Sequence, residues 1–331
     1  MKRGFIFICV LQMLVVLAAC KGGNTKAEVK LADSISVPSF CEDSAMASIV
    51  EQCAYGPRLL GTKAHDECGR DIADAFRRNG CEVSLQETDF RLYNGKSYKG
   101  FNIIASVNPE AKVRVMICAH WDSRPWADAD PDPANHKKPV LAANDGASGV
   151  AVMLEMARLL NIRKPDIGVD FVCFDAEDAG VADWDTDFSG TEDEEEASWC
   201  LGSQYWAKNP HRVDFEFAVL LDMVGGKNAT FYKELFSQYY APGVVERVWE
   251  TARRVGFASY FPDSDGGAIT DDHLSLNRLA LIPAIDIIDH RPNRRPGFCP
   301  TWHTVQDTPE NIDPRSLKAV GQTLLQLIYE M

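Results

Sequence analysis

Apolar residues recur along the chain with two distinct periods. Nearly unbroken apolar runs at Phe101 to Val107, Val113 to Ala119, Val169 to Phe174, Phe217 to Leu221 and Leu279 to Ile288 predict strands buried on both faces. Between them, Ala147 to Leu160 places Val150, Met153, Leu154, Ala157 and Leu160 on one helical face, and Val244 to Val255 and Ser316 to Glu330 follow the same period. Strands alternating with helices predict an α/β fold, three layers α/β/α around a central mixed, mostly parallel sheet. No internal repeat appears.

The first stretch departs from this pattern. Met1-Lys2-Arg3 is basic, Phe5 to Leu17 is almost wholly apolar, and Ala18-Ala19 precede Cys20. This predicts a signal peptide over residues 1–19, too short for a comfortable membrane span. Leu17-Ala18-Ala19-Cys20 resembles the bacterial lipobox, whose cysteine is acylated. That resemblance implies export and a lipid anchor on a bacterial membrane, on its periplasmic side. The plainer alternative is an ordinary cleaved signal with an incidental cysteine. A polar tether, residues 20–37, then leads into a single domain expected over 38–331.

Composition narrows the partners. The 331 residues are 46% hydrophobic and 25% charged, as in globular proteins, and the formal net charge is −14. With no basic stripe, nucleic acid is excluded as a partner. Much of the excess charge sits between Asp183 and Glu196. The spacing Asp183-x-Asp185-x-Asp187 hints at calcium, but Gly190 falls too late for an EF-type loop, so a solvated acidic loop is expected. Export permits disulfides, and Cys41, Cys53, Cys68 and Cys81 are the candidates. Cys118 and Cys173 lie inside apolar runs and read as small buried hydrophobes.

In sheets of this kind the chemistry gathers at the carboxyl ends of the strands. Those ends read Ala119-His120-Trp121-Asp122, Phe174-Asp175-Ala176-Glu177-Asp178 and Leu221-Asp222-Met223. Together with Asn144-Asp145-Gly146-Ala147-Ser148-Gly149 and Trp302-His303-Thr304, they supply the imidazole and carboxylate groups that suit zinc. A catalytic zinc takes three protein ligands and keeps a position open; Asp145, Asp178 and His303 meet that count. Asp122 is placed to orient a neighbouring imidazole. The competing reading is that Asn144 or Asp145 only caps the helix at Ala147. Convergence of several polar strand ends favours metal chemistry.

These segments in combination resemble the zinc aminopeptidase family that also contains the animal and bacterial glutaminyl-peptide cyclotransferases, from about Arg58 to the C-terminus. The resemblance implies a zinc exopeptidase-like fold with Glu177 as the acid/base. It leaves two branches open. Aminopeptidases hold two zinc ions, with His120, Asp145 and Asp222 completing the second site, whereas the cyclases use one, on Asp145, Asp178 and His303. The cyclase branch is favoured by Trp302 beside His303, by Phe298, and by Asp271-Asp272-His273, in which Asp271 joins Glu177 and Asp222 in an acidic network. Trp184 falls where cyclases place another pocket tryptophan, with Trp199 a rival because of the acidic insertion. Core packing is the competing role for all these aromatics. Asp178 stands where the animal enzymes have Glu, a change of reach that keeps an oxygen ligand. The implied activity is closure of N-terminal glutaminyl residues of peptides or proteins to pyroglutamyl, with release of ammonia. The alternative is a di-zinc aminopeptidase. A decayed fold that only binds peptides is disfavoured, because the expected ligands and the base are all retained.

Overall fold

The computed structural model describes residues 36–292 and 297–331. The expected signal segment, Cys20 and the tether through residue 35 lie outside the described residues. Six strands form one sheet: β1 (Glu82–Arg91), β2 (Ser97–Val107), β3 (Arg114–His120), β4 (Gly168–Phe174), β5 (Ala218–Asp222) and β6 (Ala284–Ile288), in the order β1-β2-β4-β3-β5-β6. Only β2 opposes the common direction, pairing antiparallel with β1 and β4, while β3–β4, β3–β5 and β5–β6 are parallel. The sheet is mixed and mostly parallel, as the alternation of elements predicts. Residues Ser36–Met331 form one compact unit.

Alternate strand residues sort onto two faces, because successive side chains point to opposite sides. Ile103, Val115, Ile117, Phe171, Val219 and Ile285 pack under α1 (Glu42–Ala54), α2 (Lys63–Arg78) and α3 (Ala147–Ile162). Ile104, Met116, Val172, Phe174 and Leu220 join Trp206 and Leu276 on the opposite face. That face carries α5 (Leu201–Lys208), α6 (Leu235–Tyr240) and α8 (Asp272–Arg278). The short α4 (Glu192–Glu196) lies in the acidic stretch, and α7 (Pro242–Arg254) and α9 (Pro314–Tyr329) pack together with α1 and α3. Each large apolar side chain so enclosed contributes about 1.5–3 kcal/mol, which makes this the three-layer fold's main driving force.

Two expectations are corrected. The apolar run Leu279 to Ile288 is not one strand: α8 ends at Arg278, Leu279 and Leu281 are 46% and 81% exposed, and β6 begins only at Ala284. Pro283 has no N–H to give a ladder, so pairing starts just after it. The cysteines of the described residues are all free, including Cys41, Cys53, Cys68 and Cys81. Burial, more than any neighbour, pushes the Cys53 and Cys68 thiols up to about 11 and Cys81 up to about 12, so they act as inert packing groups.

One glycine sets how closely α3 sits on the sheet. A Cβ on Gly149 would meet the Leu221 carbonyl oxygen at 2.3 Å and the Ala119 Cβ at 2.7 Å. Both neighbours belong to strands that end in site residues. Gly149→Ala is therefore expected to destabilise the fold by about 1–3 kcal/mol through overpacking. The check is urea unfolding, with a lower midpoint at unchanged m-value.

Candidate active site

The carboxyl ends of β3, β4 and β5 converge with the loop before α3 and the loop after β6. His120 closes β3, Asp222 closes β5, and Glu177 and Asp178 follow β4. Ala176, Met223 and His303 hold positive φ of 56°, 48° and 50°, a region that L-residues seldom occupy. Such strain gathers where a chain must turn abruptly to present a side chain, and here it brackets the acids and the histidine.

Asp145, Asp178 and His303 meet. His303 Nε2 lies 3.0 Å from Asp178 Oδ1 and 3.6 Å from Asp145 Oδ2. Asp145 Oδ2 and Asp178 Oδ2 are buried without any hydrogen-bond partner. An uncompensated buried carboxylate is costly, and two of them beside an imidazole form the oxygen and nitrogen donor set that zinc takes. The residues present therefore fit a zinc ion. A second triad shares Asp145: His120 Nε2 is 3.0 Å from Asp145 Oδ1 and 3.3 Å from Asp222 Oδ1, and His120 Nδ1 is 3.4 Å from Asp122.

The capping alternative fails. The cap of α3 is Gly146, which offers no side chain, while Asn144 Oδ1 accepts from the Gly225 amide. Asp145 is freed to face the cavity because Asp307 accepts from the Asn144 and Asp145 amides at 2.8 and 3.0 Å. Asp122 does the same on the other side, accepting from the Glu177 and Asp178 amides at 3.1 and 3.2 Å. Behind His303, Nδ1 lies 3.4 Å from Asp128, whose carboxylate is held by the buried Arg124 at 2.5 Å. Arg124 also donates to the carbonyls of Asp178, Gly180 and Val181 and stacks on Trp199 at 4.3 Å. Reading the sequence missed Arg124, Asp128 and Asp307, which sit in loops with no periodic signal.

The electrostatics follow from burial. Burial, then the Asp178 carboxylate, hold Glu177 well above the usual carboxylate range, with His120 acting the other way. Asp145 is pushed up to about 7 by burial and by Asp178 and Asp222. Asp271 is raised by burial, Asp222 and Asp272. For His303, burial opposes protonation, but Asp178 and Asp128 more than offset it, and the pKa reaches about 9. The site thus concentrates carboxyls whose proton affinity is raised above the ordinary range, the property a proton shuttle requires.

A cavity of about 400 Å³ opens over these groups, of a size that holds a small ligand. Phe298 and Trp302 wall it, with ring centroids 4.7 Å apart, and Trp302 stacks on His303 at 4.0 Å. Trp184 does not reach it. Its ring packs edge-on to Trp126 and under Lys137, with its N–H on the His136 carbonyl, and the cavity wall is Trp199 instead. The acidic insertion between the two tryptophans causes the misplacement. That insertion is largely exposed, as a solvated acidic loop is expected to be, but includes a short helix: Thr191 and Glu194 form a capping box for α4, and Glu192, Glu195 and Glu196 rim the cavity. Trp199→Ala is accordingly expected to raise KM for a substrate filling the cavity by about 10-fold or more, and Trp184→Ala to leave KM within about 2-fold, the difference between losing an aromatic wall and losing a surface contact. Steady-state kinetics of the two variants check this.

A parallel-dominated sheet presenting an Asp–Asp–His triad and a raised-pKa glutamate defines a zinc-dependent α/β enzyme. The model of peptidase family M28 matches residues 102–328, and the chain belongs to that family. Among solved structures, it is 47% identical to Bacteroides thetaiotaomicron glutaminyl cyclase bound to N-acetylhistamine (TM-score 0.85, covering 89% of this chain and 100% of that one). It is 48% identical to a Zn-dependent exopeptidase from Parabacteroides distasonis (TM-score 0.86, with the same coverage). The glutaminyl-peptide cyclotransferase of Bos taurus is 24% identical over 93% of this chain and 86% of its own length.

Proposed function

We propose that the protein is a zinc-dependent glutaminyl-peptide cyclotransferase, converting N-terminal glutaminyl residues of peptides and proteins to pyroglutamyl with release of ammonia. The observation that carries this is the placement of Glu177, its carboxyl held well above the usual range, beside the Asp145–Asp178–His303 triad under a wall of Trp199, Phe298 and Trp302. The likeness to glutaminyl cyclases across nearly the whole described chain supports it.

Asp145, Asp178 and His303 would hold one zinc ion, which when bound would supply Lewis-acid polarisation of the side-chain amide carbonyl. The aromatic wall folds the glutaminyl side chain back on its own α-amine and keeps water from competing as nucleophile. The α-nitrogen bonds to the amide carbon, and the bond from that carbon to the amide nitrogen breaks. Glu177 takes the proton from the α-amine and delivers it to the departing nitrogen, so that ammonia leaves and the carboxylate is regenerated. Asp178, Asp271 and Asp272 keep Glu177 able to hold that proton, and Asp222 lines the same cavity.

A second reading has a specific observation behind it: His120, Asp145 and Asp222 bring three donor atoms within 4.8 Å of one another, the seat for a second ion that a di-zinc aminopeptidase needs. Metal analysis together with two substrates separates the readings. One zinc per chain, ammonia from a Gln-initiated peptide and no cleavage of a leucine anilide are expected. Two zincs with anilide cleavage would overturn the cyclase assignment.

The chain is further proposed to be exported and held at a bacterial membrane by acylation of Cys20, supported by Leu17-Ala18-Ala19-Cys20 after an apolar stretch. Its partners are then the exported peptides and proteins that share its compartment, and with a net charge of −14 no nucleic acid is among them. Labelling with a radioactive fatty acid should mark the protein and fail to mark Cys20→Ser.

A further inference from the structure

A free thiol faces the catalytic acids from behind. Cys200, just before α5, has φ 55°, a left-handed turn that its own amide secures by donating to the Glu177 carbonyl at 3.0 Å. The turn points Sγ at Glu177 Oε1, 3.4 Å away. An oxygen of Asp271 completes a group whose three donor atoms lie within 4.8 Å of one another. Asp271 Oδ1 accepts the Asp272 amide, but Asp271 Oδ2 is buried with no partner, in a residue only 6% exposed.

The surroundings favour a cation. Asp222, Asp272 and Asp286 are buried nearby, and Asp272 and Asp286 leave both carboxylate oxygens without partners. Among the described residues, the histidines that face this cluster also face other carboxylates: His120 lies against Asp145 and Asp222, with Glu177 at 3.9 Å, and His273 against Glu234, with Asp286 at 4.0 Å. Arg278, on the neighbouring cavity wall, pairs with Glu196 at 3.1 Å. One sulfur and two carboxylate oxygens are a donor set for a thiophilic divalent ion. A tetrahedral zinc with sulfur at about 2.3 Å and oxygen at about 2.1 Å separates those atoms by about 3.6 Å, close to the spacing seen between Cys200 and Glu177. A separate cavity of about 360 Å³, lined by Cys200, Asp271 and Trp199, gives access that does not pass through the Asp145–Asp178–His303 triad.

We propose that Glu177, Cys200 and Asp271 form an inhibitory site for a thiophilic divalent cation, zinc in excess or cadmium, distinct from the catalytic triad. Binding replaces the thiol proton with a metal–sulfur bond and releases that proton to solvent. The same event occupies Glu177 Oε1, so the carboxylate no longer exchanges protons with substrate. The inhibition rests on the role given above to Glu177, whereas the binding does not.

The test is a cadmium titration of the zinc-loaded protein, following ultraviolet sulfur-to-cadmium charge-transfer absorption, released zinc and cyclisation rate together. The expected result is one equivalent of cadmium bound with a sulfur band and no zinc released, the rate falling with the same half-saturation. Cys200→Ser should lose the band and weaken cadmium binding at least about 10-fold, the scale on which even outer-shell losses act, each rate being compared with the same protein's cadmium-free rate. Inhibition with zinc release and no sulfur band would place cadmium in the triad and overturn the proposal, as would unchanged affinity in Cys200→Ser. Should that variant not fold, the band and the zinc release of the unaltered protein still decide. A sulfur band without any cyclisation by the cadmium-free protein would sink the cyclase assignment and leave the cation site standing.

Discussion

Glu177→Gln is expected to lower kcat for cyclisation by about 10²–10⁴-fold, the range that a positioned acid/base contributes, while zinc stays bound at full stoichiometry. The substitution keeps shape and removes only the ability to accept a proton. Glu177 lies outside the Asp145–Asp178–His303 triad: its carboxylate is 3.9 Å from His120 Nδ1 and lines the cavity with Asp222 and Asp271. Its backbone position is set by Asp122, which the change does not touch. KM should move little, because the aromatic wall that binds substrate is intact. A neutral amide also relieves the crowding of buried negative charge, so unfolding in urea should show stability equal to or above that of the parent. Loss of zinc alongside activity would mean that Glu177 ligates metal. Retained activity would remove it from the proton path.

The parts of this site that periodicity alone locates are those delivered by strands, whereas Asp145, Asp271, Phe298, Trp302 and His303 are read from short motifs in loops and at a helix cap. His120, Glu177, Asp178 and Asp222 follow apolar runs whose buried, both-faced character is local information. Asp145 was readable because its segment joins the strand-end His and carboxylate groups in a set that suits zinc. By contrast, β1 escaped notice because an edge strand with one exposed face, Glu-Val-Ser-Leu-Gln-Glu, carries too few apolar residues to stand out. The helix α2 was missed as well, although Thr62 caps it and its apolar residues follow a helical period. Arg124, Asp128 and Asp307 show a different kind of limit. Each acts by hydrogen-bonding a residue that is remote in sequence or in another loop, Asp307 across more than 160 positions to Asp145, and no periodicity encodes such a pairing. The exchange of Trp184 for Trp199 has the same origin: an insertion shifts which aromatic arrives at the cavity, and only packing against Arg124 and His303 decides.

Replacing His303 by Ala should abolish both cyclisation and the stabilisation that zinc confers. An ion that binds only the folded chain stabilises it by about 4 kcal/mol at a free concentration 1,000 times its Kd, on the order of 10 °C in Tm for a domain of this size. The parent should show this shift on zinc addition, and His303→Ala should show almost none at the same zinc concentration. Asp128→Asn should fall between them, weakening zinc binding about 10–100-fold by loosening the imidazole without removing it. The pH dependence identifies the cause. In the zinc-free protein His303 holds its proton up to about pH 9, so below that pH zinc must displace a proton to bind. Apparent affinity should therefore rise about tenfold per pH unit between 7 and 9, and more steeply below about 7, where Asp145 also holds a proton. In His303→Ala the proton that titrates toward pH 9 is gone, so the remaining dependence should flatten above about 7. Competition with a chelator of known affinity across this range measures both slopes. A parent protein whose zinc affinity does not change between pH 7 and 9 would show that His303 is not the residue whose proton the metal displaces.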